Sequence, residues 1–147
     1  MYFKPEVQNF IKKYQEFLSL NITVDGHKEL HDACRVFPDG SGSYDLAIAA
    51  VRHFHQNYAM HLSSKITLAP GNIEHTAKAL ISLIEEGYEE LNCNCVFEKG
   101  WTTEHATIFY YQLKQLADYI LDNNLADSHY ISLFDCSRFR PMLESDN

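Results

Sequence analysis

Hydrophobic side chains recur along most of this chain at three- and four-residue steps, the spacing that lines one face of an α-helix. Val7, Phe10, Ile11, Tyr14, Phe17 and Leu18 form the first such stripe, within a helix predicted over residues 5–20. Pro5 suits its first turn, where the missing N–H costs nothing. A second, shorter helix is predicted over residues 25–36. It stops before Phe37-Pro38-Asp39-Gly40-Ser41-Gly42, a run with the chemistry of a turn. Ser43 is positioned to cap a third helix reaching residue 62, with Ala47, Val51, Phe54, Tyr58 and Leu62 as its face.

Ala69-Pro70-Gly71-Asn72 resets the chain. A fourth helix follows to residue 91, striped by Ile73, Ala77, Leu80, Ile81, Ile84, Tyr88 and Leu91. Residues 92–100 read as a loop, with Cys95-Val96-Phe97 as a short extended piece. Thr102 or Thr103 caps a fifth helix to residue 123. That helix carries Phe109, Leu113, Leu116 and Ile120 on one side and Ile108, Tyr111 and Tyr119 on another. A sixth short helix is predicted over residues 127–136, and residues 137–147 form a flexible tail. The expected fold is therefore all-α: one antiparallel bundle of five to six helices over residues 1–136.

Size and composition agree with a single folded unit. A chain of 147 residues, 46% hydrophobic and 13% aromatic, buries a full core without disulfide staples. Lys4, Glu6, Lys12, Lys13 and Glu16 interrupt the N-terminal region, so neither a secretory signal nor a membrane span is expected. Four scattered cysteines point to reduced thiols, hence to a cytoplasm or to delivery into a reducing host cytosol. The formal net charge of −8 repels phosphate backbones and anionic membranes, which argues against nucleic acid and admits a basic protein partner.

Several clusters carry candidate chemistry. His27, His31 and Cys34 stand at steps of four and three on the second helix, a usable half-site for zinc, with His53, His55 or His61 as a further ligand. Amides follow His53 and His55, so the helix-borne carboxylates that bridge a di-iron centre are missing. Cys93-Asn94-Cys95 places two thiols one residue apart in the predicted loop. A thiol nucleophile such as Cys34 or Cys136 would need a histidine base, and no local signature supplies one. No glycine pattern of a phosphate-cradling loop occurs.

Glu85, Glu86, Glu89 and Glu90 gather four carboxylates at the end of the fourth helix, where they oppose the helix dipole and repel one another at i, i+4. Tyr110 and Tyr111 add aromatic surface on the fifth helix, whose wide apolar arc also suits a homodimer. Together these features lead to the expectation of a non-enzymatic interaction module: an acidic adaptor, inhibitor, immunity-type protein or effector. It would bind a partner protein through the carboxylates and tyrosines. A zinc-binding or redox-responsive module on His27, His31 and Cys34 is the alternative, and a small thiol enzyme the third.

Overall fold

The computed structural model describes residues 4–97 and 100–139. Its helices are α1 (Pro5–Tyr14), α2 (Lys28–Cys34), α3 (Tyr44–Asn57), α4 (Thr76–Glu85) and α5 (Thr103–Asp122). Between them run three strands, β1 (Ser63–Leu68), β2 (Glu90–Cys95) and β3 (Tyr130–Ile131), paired in parallel in the order β1-β2-β3. The protein is thus mixed α/β, and the expected all-α antiparallel bundle is wrong.

The error has local causes. The third helix ends at Asn57, because Tyr58 turns to an extended backbone (φ −134°, ψ 137°). Ser63–Leu68 then alternates buried and exposed positions with the two-residue period of a strand. The fourth helix stops at Glu85 rather than 91. Gly87 takes φ +96°, its N–H donates to Ile84 O (2.9 Å) and the Tyr88 N–H to Leu83 O (3.1 Å), a Schellman termination. Released from the helix, Leu91-Asn92-Cys93-Asn94-Cys95 extends as β2 instead of forming a loop. The predicted sixth helix is replaced by β3, whose Tyr130 N–H donates to Glu89 O (2.8 Å), and by short 3₁₀ turns. Of the predicted C-terminal tail, residues 140–147 lie outside the described residues; Cys136–Phe139 is a 3₁₀ turn.

The fifth helix agrees closely with its pattern. Thr102 Oγ1 accepts from the His105 N–H (3.3 Å) and His105 Nδ1 accepts from the Thr102 N–H (3.1 Å), a reciprocal cap.

Parallel neighbours need crossovers, and right-handed crossovers between sequential strands place the helices that connect them on one face of the sheet. The contacts agree. Arg52 of α3 pairs with Glu86 at the end of α4, and the Ala77 N–H of α4 donates to Gln112 Oε1 of α5 (3.0 Å). Ile66, Leu68, Leu91 and Cys93 turn toward this layer and join Phe54, Leu80, Leu83 and Leu116 in one core. Each such side chain contributes roughly 1.5–3 kcal/mol by leaving water.

A further extended segment, residues 21–24, lies beside β1. Asn21 bridges Ser63 in parallel, the Val24 N–H donates to Ser64 Oγ (3.2 Å), and the Ser64 hydroxyl donates to Val24 O (3.1 Å). The wall therefore runs segment 21–24, β1, β2, β3, in chain order and in one direction.

Candidate functional site

All four extended segments point their C-terminal ends the same way, so the turns after them form one crest. In parallel α/β sheets that crest is where ligands bind.

The first turn of the crest is the most elaborated. Gly26 (φ +110°) lets it approach α4 so closely that an added Cβ would fall 2.5 Å from Ala79 Cβ. The Asp25 N–H donates to His31 Nδ1 (3.1 Å), and the Asp25 carboxylate pairs with Arg35. His31 is 1% exposed, and burial pushes its pKa down. The neighbouring His27 also titrates low, first through burial and then through nearby Lys78. Its ring meets His75 edge-on, with centroids 5.9 Å apart. His27 Nδ1 is buried with no hydrogen-bond partner among the described residues.

The second feature is the sheet face turned away from the helices. Lys65 and Thr67 of β1 are exposed there, and their register partners on β2 are Asn92 and Asn94. One ammonium, one hydroxyl and two carboxamides thus share a surface with the carboxylate of Glu90. Asn92 Nδ2 donates to Glu90 Oε1 (2.6 Å), so one of its donors is already held by a carboxylate on the same strand. Parallel sheets are ordinarily covered on both faces by apolar side chains. This one presents hydrogen-bonding groups instead.

The residues singled out from the sequence are dispersed. Among the described residues no three His, Cys, Asp or Glu side chains form a group able to hold a metal ion, and His27, His31 and Cys34 do not converge into one. His31 is engaged on both nitrogens, His27 packs on His75, and Cys34 is exposed. Cys93 and Cys95 belong to β2 rather than a loop. Cys93 is buried, and burial pushes the Cys95 thiol up, which suppresses its thiolate.

The four glutamates are not on one helix, since α4 ends at Glu85; the i, i+4 repulsion inferred for them does not arise. Glu86 accepts two bonds from Arg52 (2.7 and 3.0 Å), Glu89 pairs with His61, and Glu90 accepts from Asn92. Tyr110 and Tyr111 are 64% and 59% exposed, with ring centroids 5.5 Å apart.

The residues missed from the sequence are Lys65, Thr67, Asn92 and Asn94. Their signal was the polar–apolar alternation of Lys65-Ile66-Thr67-Leu68 and Leu91-Asn92-Cys93-Asn94-Cys95. No protein-family model matches the chain, and comparison with characterised proteins finds no similar sequence. Among the described residues no helix is long and apolar enough to cross a membrane.

Proposed function

We propose that this chain is a ligand-binding α/β domain that holds a small, polar, carboxylate- or phosphate-bearing molecule. The ligand lies on the exposed sheet face and reaches the crest at the strand C-termini. The observation that carries the reading is the register row itself, Lys65 beside Asn92 and Thr67 beside Asn94. Lys65 supplies the charge that recognises the anion, and Thr67, Asn92 and Asn94 supply donors and acceptors that fix orientation. His27, whose buried Nδ1 has no hydrogen-bond partner among the described residues, stands at the crest end of the same wall.

Thermal-shift measurements with a panel of amino acids, dicarboxylates and nucleoside phosphates test this. A ligand at a hundred times its Kd stabilises by about 2.7 kcal/mol, a readily measured rise in Tm. At least one compound raises the wild-type Tm, and Lys65→Ala with Asn94→Ala abolishes the rise while leaving the unliganded Tm unchanged. A panel without effect, or a rise that persists in the double variant, would overturn the reading.

The exposure of Tyr110 and Tyr111 favours a second reading, the interaction module expected from the sequence. Two adjacent exposed tyrosines on a rigid helix supply anchor area at little conformational cost, and the net charge of −8 steers a basic protein partner toward them. In that reading Glu85 contributes freely, whereas Glu86, Glu89 and Glu90 must first leave their internal partners. Loss of pull-down on Tyr110→Ala with Tyr111→Ala, at unchanged Tm, is its test.

A further inference from the structure

We propose, resting on the ligand-binding reading above, that the molecule held on the sheet face is a zwitterion: an amino acid whose carboxylate meets Lys65 and whose ammonium meets Glu90. Both residues are exposed, and they stand diagonally across the seam between β1 and β2. Ser63 is the register partner of Glu90, and Lys65 that of Asn92. A strand spacing of about 4.8 Å and a rise of about 3.3 Å per residue put their Cα atoms roughly 8 Å apart.

Neither charge is compensated within the described residues. The Lys65 ammonium forms no ion pair or hydrogen bond there, and Glu90 has no cationic partner; the Asn92 amide alone donates to its Oε1 (2.6 Å). Other cations of the domain are held differently, Arg52 by Glu86, Arg35 by Asp25 and Lys28 by Asp45. Lys65 and Glu90 do not pair with each other across the diagonal. An ammonium and a carboxylate therefore stand separately on one face, with Asn92 between them fixed by the carboxylate.

The sign of the charge changes along the face. Glu90 lines a recess of about 350 Å³ together with Glu89, Asp127 and His129, and no lysine or arginine lines it. Glu89 is paired with His61, whereas Glu90 keeps its charge. On its other side Glu90 borders a recess of about 240 Å³ with Ser63, Leu18 and Met60, so the surface around it is indented. Two residues along β1 from Ser63, Lys65 reverses the sign, and beyond it Thr67 and Asn94 are uncharged.

This pattern selects among ligands. A plain anion gains at Lys65 and is repelled by Glu90; a plain cation gains at Glu90 and is repelled by Lys65. A molecule with both charges gains at both places, and complementary potentials favour it over either relative. Its remaining polar part lies along Thr67 and Asn94 toward the crest, where a hydroxyl and a carboxamide supply hydrogen bonds without charge.

Isothermal titration calorimetry of the full chain is the experiment, with the protein amino acids and γ-aminobutyrate as probes and circular dichroism as the folding control. Each amino acid that binds is compared with the acid lacking its amino group and the amine lacking its carboxylate. Both should bind at least about tenfold more weakly, equivalent to 1.4 kcal/mol. Glu90→Gln, which keeps an acceptor for Asn92, should abolish the preference over the deaminated acid, and Lys65→Gln the preference over the amine. Strongest binding of γ-aminobutyrate would assign the site to widely spaced charges within the same class. An amino acid bound no better than its deaminated acid, or equally well by Glu90→Gln, overturns the proposal. So does a preference for the amine. If dicarboxylates or nucleoside phosphates stabilise the wild type while every amino acid fails, the zwitterion falls and the anion reading stands; if no compound binds, both fall.

Discussion

The His31 ring and the Ser43 hydroxyl lie 3.0 Å apart, and their hydrogen bond has one direction. Ser43 donates its proton to Arg35 O (2.9 Å), and His31 Nδ1 accepts from the Asp25 N–H (3.1 Å). His31 is therefore neutral with its proton on Nε2, which donates to Ser43. Protonation would put a second proton on Nδ1, facing a donor in a site 1% exposed. Burial lowers the pKa of His31 and, less deeply buried, of His27. A histidine pKa depressed in the folded state gives stability that is full above the unfolded value of about 6.5 and is lost as pH falls toward the folded value. Urea denaturation between pH 7.5 and 5 should show falling stability on the acid side. His31→Gln, less stable at pH 7.5, should show a shallower fall; an equal slope in both proteins would remove His31 as the cause.

Tyr88 ties the helix layer to the first edge of the wall. Its ring is fully buried, and its hydroxyl donates to Ile22 O at 2.6 Å across 66 residues of sequence. Burial pushes its pKa far above the ordinary range for tyrosine, so it remains a donor at all physiological pH. Tyr88→Phe keeps the packing and leaves the Ile22 carbonyl unpaired, a cost of about 1–2 kcal/mol. Native-state hydrogen exchange should show amides near residues 21–24 opening faster in the variant than those of α5. Uniform acceleration everywhere would mean that the bond has no local role.

Gly87 is where the chain leaves α4 for β2. Its φ of +96° is disfavoured for any residue with a Cβ. A Cβ there would also stand 2.8 Å from His55 Nε2, the far end of a side chain that can move aside. The backbone therefore dominates, and Gly87→Ala should destabilise by about 1–2 kcal/mol. His55→Ala combined with Gly87→Ala should recover little of that loss. Full recovery would show that the contact with His55, rather than φ, sets the requirement for glycine.

The parts of this fold readable from sequence were those written locally. Thr102, the stripe through Leu116 and Ile120, and the stop after Asp122 all lie within one helix and gave its limits to within a residue. Parallel strands are different, because their partners are 27 residues apart in β1 and β2 and no hairpin turn announces them. Tyr58 and Leu62, and Tyr88 and Leu91, continued the helical spacing of the preceding stripes by coincidence; all four are buried, but from extended or turning backbone. Nothing in the stripe of α1 distinguished Ile11, which is buried, from Phe10, which is exposed. The polar row escaped for the same reason as the strands. Lys65 and Asn92 become neighbours only through the register.

The thiols give the most direct check on this rearrangement. Had residues 92–100 been a loop, Cys93 and Cys95 would be open to reagent. In β2 their side chains instead alternate toward the helix layer. Cys93 is 7% exposed, and Cys95 is half-buried with its pKa raised, while Cys34 and Cys136 are exposed. The thiolate is the reacting species, so both access and pKa slow the β2 pair. Native protein treated with iodoacetamide near neutral pH should carry label first at Cys34 and Cys136. Peptide mass mapping should find Cys93 and Cys95 modified promptly only after denaturation. Early labelling of Cys93 would place it outside the core, and with it would fall the assignment of Leu91 and Cys93 to the face that packs against α4 and α5.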